Sequence, residues 1–363
     1  MPAYRSDVVG SLLRPPYLKE ARKRHGAGEI GDADFKQIED RAVDEAIALQ
    51  TRAGLNVITD GEMRRYAFFG HLIDATEGYD KFGGWAIPFH DEQGNELIFK
   101  RPVVVAKLRR IRPLCEEEFT YLRARADRPA KVTLISAQQA AAYYDPEKSK
   151  GAYATIDAYL ADVVDILHAE VEELIHLGCT YIQVDAPQYA ALLDPQIREG
   201  YRKRGNDPDR LLERCIELDN AVIGSHSDVT FGIHLCRGNN QSKYYASGGY
   251  DPIVDVFRRT HFQRFLLEYD DERSGGFEPL KAVPEDRTVV LGLVTTKKPT
   301  LEKKDELKRR IDEASKYVPL ERLALSPQCG FASTEEGNLV TPADQEAKLR
   351  LVAETAQEVW GAA

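Results

Sequence analysis

Cysteine is scarce in this chain, with five residues among 363. So small and odd a number does not make a disulfide framework, and in a reducing compartment clustered cysteines more often bind metal or take part in chemistry. Cys115, Cys179 and Cys215 lie in apolar or helical contexts, which indicates small buried side chains. Cys236 and Cys329 instead lie at the ends of predicted strands.

Long hydrophobic runs are also missing. No apolar stretch is long enough to span a bilayer, and the first seven residues contain no apolar signal core. These two absences predict a cytoplasmic protein with no membrane partner.

The chain has no excess of positive charge, because its formal net charge is -10. This disfavours the broad attraction to phosphate on which nucleic-acid binders rely, and basic runs such as residues 202–204 are too short to reverse it. Hydrophobic residues make up 43% and charged residues 30%, which is typical of a globular protein with a sizeable core. We therefore expect a folded protein with small-molecule partners and no nucleic-acid partner.

Short β-branched or apolar runs recur along the chain, and helical patterns alternate with them. This order is typical of a parallel sheet with crossover helices, and eight repeats predict an α/β fold of the (β/α)8 TIM barrel type, in a single domain over residues 1–363. The predicted strands are residues 7–11, 56–60, 131–136, 181–185, 230–235, 264–268, 288–294 and 323–326.

Four helices are clear from apolar stripes of helical period and from their stop signals. They are predicted at residues 157–177, 208–223, 301–317 and 342–360. Residues 79–110 break the alternation, with glycine pairs and apolar runs that predict an inserted hairpin near the barrel opening, as part of a lid.

Polar residues that can bind metal lie at the predicted strand ends, where barrel enzymes place their active residues. His234 and Cys236 are two apart on one strand, so their side chains point to the same side. Zinc takes imidazole and thiolate ligands in a tetrahedral site, and Cys329 and Glu268 are placed to complete it. Asp270 is an alternative to Glu268, and a packed strand end is the alternative explanation of the His-x-Cys pair alone.

A second polar group suggests a binding site for an amino acid. Glu62 and Asp185 follow separate strands and can accept hydrogen bonds from a substrate ammonium group, although an acid at a strand end can instead cap the next helix. Gly10 and Ser11 can offer backbone groups to a carboxylate, or can simply form a tight turn.

These residues carry a resemblance to the catalytic barrel of the cobalamin-independent methionine synthases, and above all to their shorter bacterial forms. The resemblance covers nearly the whole chain, and its specific motifs are residues 234–239 (HLCRGN), 267–270 (LEYD) and 325–331 (LSPQCGF). It implies a zinc ion held by His234, Cys236, Glu268 and Cys329. It also implies homocysteine binding by Gly10, Ser11, Glu62 and Asp185, and methyl transfer to a thiol made nucleophilic by the zinc.

Two departures from the family bear on the methyl donor. Thr295, Thr296 and Lys297 follow the seventh strand where the family has a histidine proposed to protonate the departing folate nitrogen, and Ala186 replaces a glutamate after Asp185. The predicted function is therefore methyl transfer to homocysteine from an unidentified donor. A methylated corrinoid protein or a sulfonium compound could serve as that donor, because neither needs an acid to release its methyl group.

Two alternatives remain at this point. The family also includes epoxyalkane:coenzyme M transferase, in which a zinc thiolate opens an epoxide. A non-catalytic zinc-containing binding protein is the alternative of another class.

Overall fold

The computed structural model describes residues 4–361. Within this range the strands are β1 Thr76–Asp80, β2 Ala86–His90, β3 Glu96–Lys100, β4 Val103–Arg110, β5 Val132–Ile135, β6 Tyr181–Asp185, β7 Thr230–Leu235, β8 Arg264–Glu268, β9 Thr288–Val294 and β10 Leu323–Pro327. The α-helices are α1 Pro16–Gly26, α2 Asp32–Ala53, α3 Gly70–Asp74, α4 Glu116–Arg125, α5 Ala137–Ala140, α6 Ile156–His176, α7 Ala190–Leu193, α8 Pro195–Lys203, α9 Pro208–Ile223, α10 Val254–Arg259, α11 Lys304–Ala314 and α12 Pro342–Trp360.

A parallel sheet of six strands, β5 to β10 in chain order, forms the centre of the molecule. Its residues are buried almost throughout, which fits strands covered on both faces, and the main hydrophobic core lies between the sheet and the surrounding helices. These six strands match six of the eight predicted runs. The four predicted helices are also present, and α9 and α12 have the predicted bounds.

The first two predicted strands are wrong as regular strands. A single parallel bridge forms at each edge of the sheet: Ser6, just before residues 7–11, bridges to Leu325, and Ile58 bridges to Ala130. Side chains replace the missing ladder, because Asn56 Oδ1 accepts hydrogen bonds from the backbone N–H of Ser6 at 2.9 Å and of the residue before it at 3.0 Å. The two segments thus lie where the first two barrel strands would lie, without a continuous ladder.

A buried polar network ties the first segment to the inside of the sheet. Asp7 is fully buried and accepts hydrogen bonds from Lys131 Nζ at 2.7 Å, from the Tyr181 hydroxyl at 2.7 Å and from Arg264 at 3.3 Å. Lys131 Nζ also donates to Gln183 Oε1 at 2.7 Å. The network joins four separate segments across the interior and ties the start of the chain to the residue before β5, to β6 and to β8.

The predicted hairpin insertion is confirmed and is larger than expected. β1 pairs with β4, and β2 pairs with β3 in a second hairpin enclosed by the first. His90 exchanges backbone hydrogen bonds of 2.9 and 3.0 Å with Tyr244, which lies in the segment after β7. This contact holds the inner hairpin over the carboxyl ends of the sheet strands.

Within residues 4–361, every helix is too short or too polar to cross a bilayer.

Candidate metal centre and substrate cavity

His234, Cys236 and Cys329 converge at the carboxyl ends of β7 and β10. Their ligand atoms lie within 4.8 Å of one another, and all three side chains are buried. His234 and Cys236 reach this point because alternate residues of β7 share a face, and Cys329 follows the end of β10.

The imidazole of His234 is oriented for metal binding. Its Nδ1 lies 3.3 Å from the carbonyl oxygen of Leu266, so that nitrogen carries the proton and donates it. Nε2 is buried and has no hydrogen-bond partner among residues 4–361. A carbonyl that fixes the tautomer behind a ligating histidine is the usual arrangement at zinc sites, and one imidazole with two thiols is a donor set that zinc prefers. The residues therefore fit a zinc ion.

Glu268, the fourth predicted ligand, lies outside this group. Its carboxylate accepts hydrogen bonds from the backbone N–H of Arg237 at 2.7 Å, from Lys297 Nζ at 3.2 Å and from Arg273 at 3.3 Å. Burial works to raise the pKa of Glu268, but Lys297, Arg237 and Arg273 outweigh it and lower the pKa to about 2. Asp270, the alternative, is also buried and lies 4.0 Å from Lys297 Nζ.

A cavity of about 90 Å³ opens beside the His–Cys–Cys group. Its floor includes Ser11, Glu62 and Asp185, so six of the eight predicted site residues line one space. Gly10 lies directly behind: a Cβ there would come within 2.7 Å of Glu62 Oε1, so this position accepts only glycine unless the carboxylate moves.

Glu62 is held in an unusual state for a carboxylate. Its backbone has φ of 55°, a left-handed conformation that is uncommon for non-glycine residues and is enriched at functional sites. Oε1 accepts a hydrogen bond from Thr133 at 2.9 Å, while Oε2 is buried with no partner in the described chain. Burial, with the nearby charge of Asp185, raises the pKa of Glu62 to about 7 against the opposing effect of Arg65.

Asp185 completes the polar floor from the end of β6. One of its carboxylate oxygens accepts a hydrogen bond from Gln183 at 2.7 Å, and burial raises the pKa of Asp185. Two buried carboxylates on one cavity wall are costly unless a cation binds between them.

The roof of the cavity was not predicted residue by residue. It consists largely of aromatic and apolar side chains from the inner hairpin and from the segments beside it, together with one arginine; these are Phe68, Phe69, Ile87, Phe89, Phe99, Arg101, Tyr143 and Tyr245. The signal was present in the sequence, because Ile87 and Phe89 alternate with polar or exposed residues on β2, and Phe99 does so on β3.

The protein is of the α/β-barrel type and has a candidate soft-metal site. A buried histidine and two cysteines lie at the strand ends of its parallel sheet, next to a cavity that also contains two carboxylates. The family model described as "Cobalamin-independent synthase, Catalytic domain" matches residues 5–356. The chain belongs to this family.

Individual relatives agree with this assignment. The uncharacterized protein YxjG of Bacillus subtilis is 37% identical, over 99% of this chain and 95% of the relative. The methionine synthase of Pyrococcus abyssi is 27% identical, over 91% of this chain and 87% of the relative. The structure of a B12-independent methionine synthase from Shewanella sp. W3-18-1, in complex with selenomethionine, aligns with a TM-score of 0.75 at 18% identity, over 99% of this chain and 98% of that one. This likeness confirms the predicted barrel fold class.

Proposed function

We propose that this chain is a zinc-dependent methyltransferase that transfers a methyl group to the sulfur of homocysteine and so forms methionine, with the whole chain acting as one catalytic domain. The observation that carries the proposal is the unpartnered Oε2 of Glu62, which lines the same cavity as His234, Cys236 and Cys329. Membership of the synthase family and the likeness to named methionine synthases support the same reaction.

The floor acids orient the amino acid. Glu62 and Asp185 accept hydrogen bonds from its ammonium group, and Ser11 lies beside them for the carboxylate. With the amino group fixed at this end, the substrate sulfur extends towards His234, Cys236 and Cys329. The cavity then excludes water and aligns sulfur and donor, so that the new carbon–sulfur bond forms as the donor bond breaks and no protein nucleophile is needed.

Zinc would be held by His234, Cys236 and Cys329, with Glu268, which contacts Lys297 and Arg273, as the predicted fourth ligand. When bound, it supplies the positive charge that makes a thiol nucleophilic at neutral pH. Three convergent ligands leave a position for the substrate sulfur, which is typical of catalytic rather than structural zinc sites.

The donor is best accounted for by a small sulfonium compound. Expulsion of the folate nitrogen needs a proton, and Lys297 is a poor source: Glu268 and Asp270 outweigh its burial and raise its pKa. Lys297 also does not line the cavity. The hairpin roof favours a small donor over a corrinoid protein, whose cofactor would need direct access to the sulfur.

Three measurements test the proposal. Purified protein should contain one zinc per chain, and Cys236→Ser or Cys329→Ala should lose zinc and activity while the fold remains. X-ray absorption at the zinc edge should show one added sulfur ligand when homocysteine is supplied. Labelled methyl groups on sulfonium, methylcobalamin and methyltetrahydrofolate donors should reach methionine fastest from the sulfonium.

The alternatives give different results in the same experiments. A structural zinc protein would gain no sulfur ligand and transfer no label. Coenzyme M has no amine to satisfy Glu62 and Asp185, so turnover of coenzyme M in preference to homocysteine would refute the amino-acid assignment. Glu62→Gln and Asp185→Asn should weaken homocysteine binding while zinc content stays unchanged.

A further inference from the structure

Arg101 places a positive charge in the roof of the cavity. It follows the end of β3, and its backbone N–H donates to the Trp85 carbonyl at 3.2 Å, so its position is fixed by the inner hairpin. Its side chain lines the same cavity as His234 and the two cysteines. Among the residues that line this cavity, Arg101 is the one arginine or lysine.

Among residues 4–361, the guanidinium of Arg101 has no counter-ion. Within residues 4–361 no carboxylate pairs with it, its Nε is buried without a hydrogen-bond partner, and the ionisable groups that influence it are the hydroxyls of Tyr143, Tyr201 and Tyr245. Burial lowers the pKa of Arg101, which shows that the fold does not compensate this charge. Arg101 is half-buried, and a guanidinium whose Nε is buried without a partner is costly unless a ligand supplies the anion.

Arg14, Arg64 and Arg237 are already engaged. Arg14 donates to the backbone carbonyls of Ala332 and Glu62, and Arg237 donates to Gly248 O at 2.6 Å. Arg64 pairs with Asp40 away from the cavity. Arg101 is therefore the cation that this cavity offers to a bound molecule.

Position decides which of the two substrates Arg101 faces. The proposed thiol site is at the floor, where Asp185 ends β6 and Glu62 lines the same space, whereas Arg101 comes from the inner hairpin. Tyr245 is near both the metal site and the roof, because the charges of Cys236 and Arg101 both act on its hydroxyl. Gly238 packs against its ring. The space between Arg101 and the cysteines is the space through which a donor must approach the sulfur.

We propose that Arg101 binds a carboxylate or phosphate group of the alkyl donor and thereby selects donors that carry such a group. This inference rests on the proposed thiol methyltransferase function and adds a recognition group for its second substrate. Arginine suits the role because its planar fork makes two parallel, charge-assisted hydrogen bonds to such oxyanions.

The test compares two donors that differ by one carboxylate: S-methylmethionine and (3-aminopropyl)dimethylsulfonium. Zinc-loaded wild type, Arg101→Gln and Arg101→Lys are assayed at saturating homocysteine. Arg101→Gln should raise KM for S-methylmethionine by about 10- to 100-fold, as expected for loss of a charge-assisted hydrogen bond. KM for the carboxylate-free donor and for homocysteine should stay the same, and Arg101→Lys should recover part of the loss.

Lys100→Gln is the matched control, because Lys100 is the exposed neighbour on the other face of β3 and should leave every constant unchanged. Calorimetric titration of S-methylmethionine and of inorganic phosphate into the zinc-loaded protein provides a readout independent of turnover. Wild type should bind at least one of them, and Arg101→Gln should lose that binding.

Four results would overturn the proposal. Equal losses for both donors would make Arg101 a structural residue. A rise in KM for homocysteine alone would assign it to the thiol. Binding of neither probe by wild type would refute anion recognition, and so would binding that Arg101→Gln retains. Anion binding that depends on Arg101 without any methyl transfer would instead refute the proposed function and leave the anion site intact.

Discussion

The carboxyl group of Glu62 illustrates how one residue can trade stability for binding. Its folded pKa is about 7, whereas an ordinary glutamate has 4.5, so the folded state binds this proton more tightly than the unfolded state does. Stability must therefore fall as the pH rises from about 4.5 to about 7, and the deficit above pH 7 is on the order of 3 kcal/mol.

Glu62→Gln should thus stabilise the ligand-free protein at pH 8, and the gain should shrink as the pH falls towards 5. The amide keeps an oxygen for the hydrogen bond from Thr133, so loss of the charge is the main change. Urea unfolding at the two pH values measures the effect. A gain of the same size at both would show that Glu62 is not protonated more readily in the folded state.

For individual residues, the sequence predicted which side chains form the candidate metal site better than it predicted how each side chain is oriented. Alternation along β7 and the ends of the strands sufficed to bring His234, Cys236 and Cys329 together. The direction of the Glu268 side chain depends on its contacts with Lys297 and Arg273. These residues belong to other segments, so no local sequence pattern predicts the contacts. Arg101 was missed because its lack of a partner is a property of the folded cavity.

The inner hairpin should act as a cover whose two faces differ sharply in importance. Phe89 is 8% exposed and lines the cavity, whereas Ile98 on the partner strand is 60% exposed. We expect Phe89→Ala to lower the free energy of unfolding by about 2–4 kcal/mol and to reduce methyl transfer, because it removes a packed ring from the roof.

Ile98→Ala is the matched control for that variant and should change both properties little. Thermal unfolding and labelled methyl transfer measure the two effects. Similar behaviour of the two variants would mean that the hairpin does not cover the site in solution.

The last helix, α12, begins with a capping box. Thr341 Oγ1 accepts a hydrogen bond from the backbone N–H of Asp344 at 3.1 Å, and the Asp344 carboxylate accepts one from the backbone N–H of Thr341 at 2.8 Å. Since α12 packs on α2 and β10, weakening its start should weaken the whole fold. Thr341→Ala should cost about 1 kcal/mol in urea unfolding, and Thr341→Ser should cost much less. An unaffected alanine variant would show that the cap is replaced by water.

Elements with a strong local signal were predicted closely, and those held by distant contacts were not. Helices α9 and α12 have caps and stops in their own sequences, so their bounds agree. The first two barrel positions depend instead on side-chain bonds such as those of Asn56, for which alternation of apolar residues gives no sign.

On the scale of the whole molecule, the Asp7 network should be a main determinant of stability. Asp7 and Lys131 are both fully buried and bonded to each other, and breaking one partner of such a pair typically costs about 3–5 kcal/mol. We expect losses of this size for Asp7→Asn and for Lys131→Met.

The double variant should lose much less than the sum of the two, because no unpaired charge remains inside. A double-mutant cycle in urea checks this. Additive losses would show that the two side chains act independently.

The hairpin insertion also has a consequence for how such proteins diversify. Asp80 and Val103 face each other as paired residues of β1 and β4, so residues 81–102 leave and rejoin the rest of the chain at a single point. A segment with adjoining ends can be lengthened, shortened or exchanged without altering the path of the barrel beneath it. Arg101 lies within that segment and the cysteines do not. Natural variation or engineered grafting at this one junction can therefore give the same reaction centre a new choice of donor.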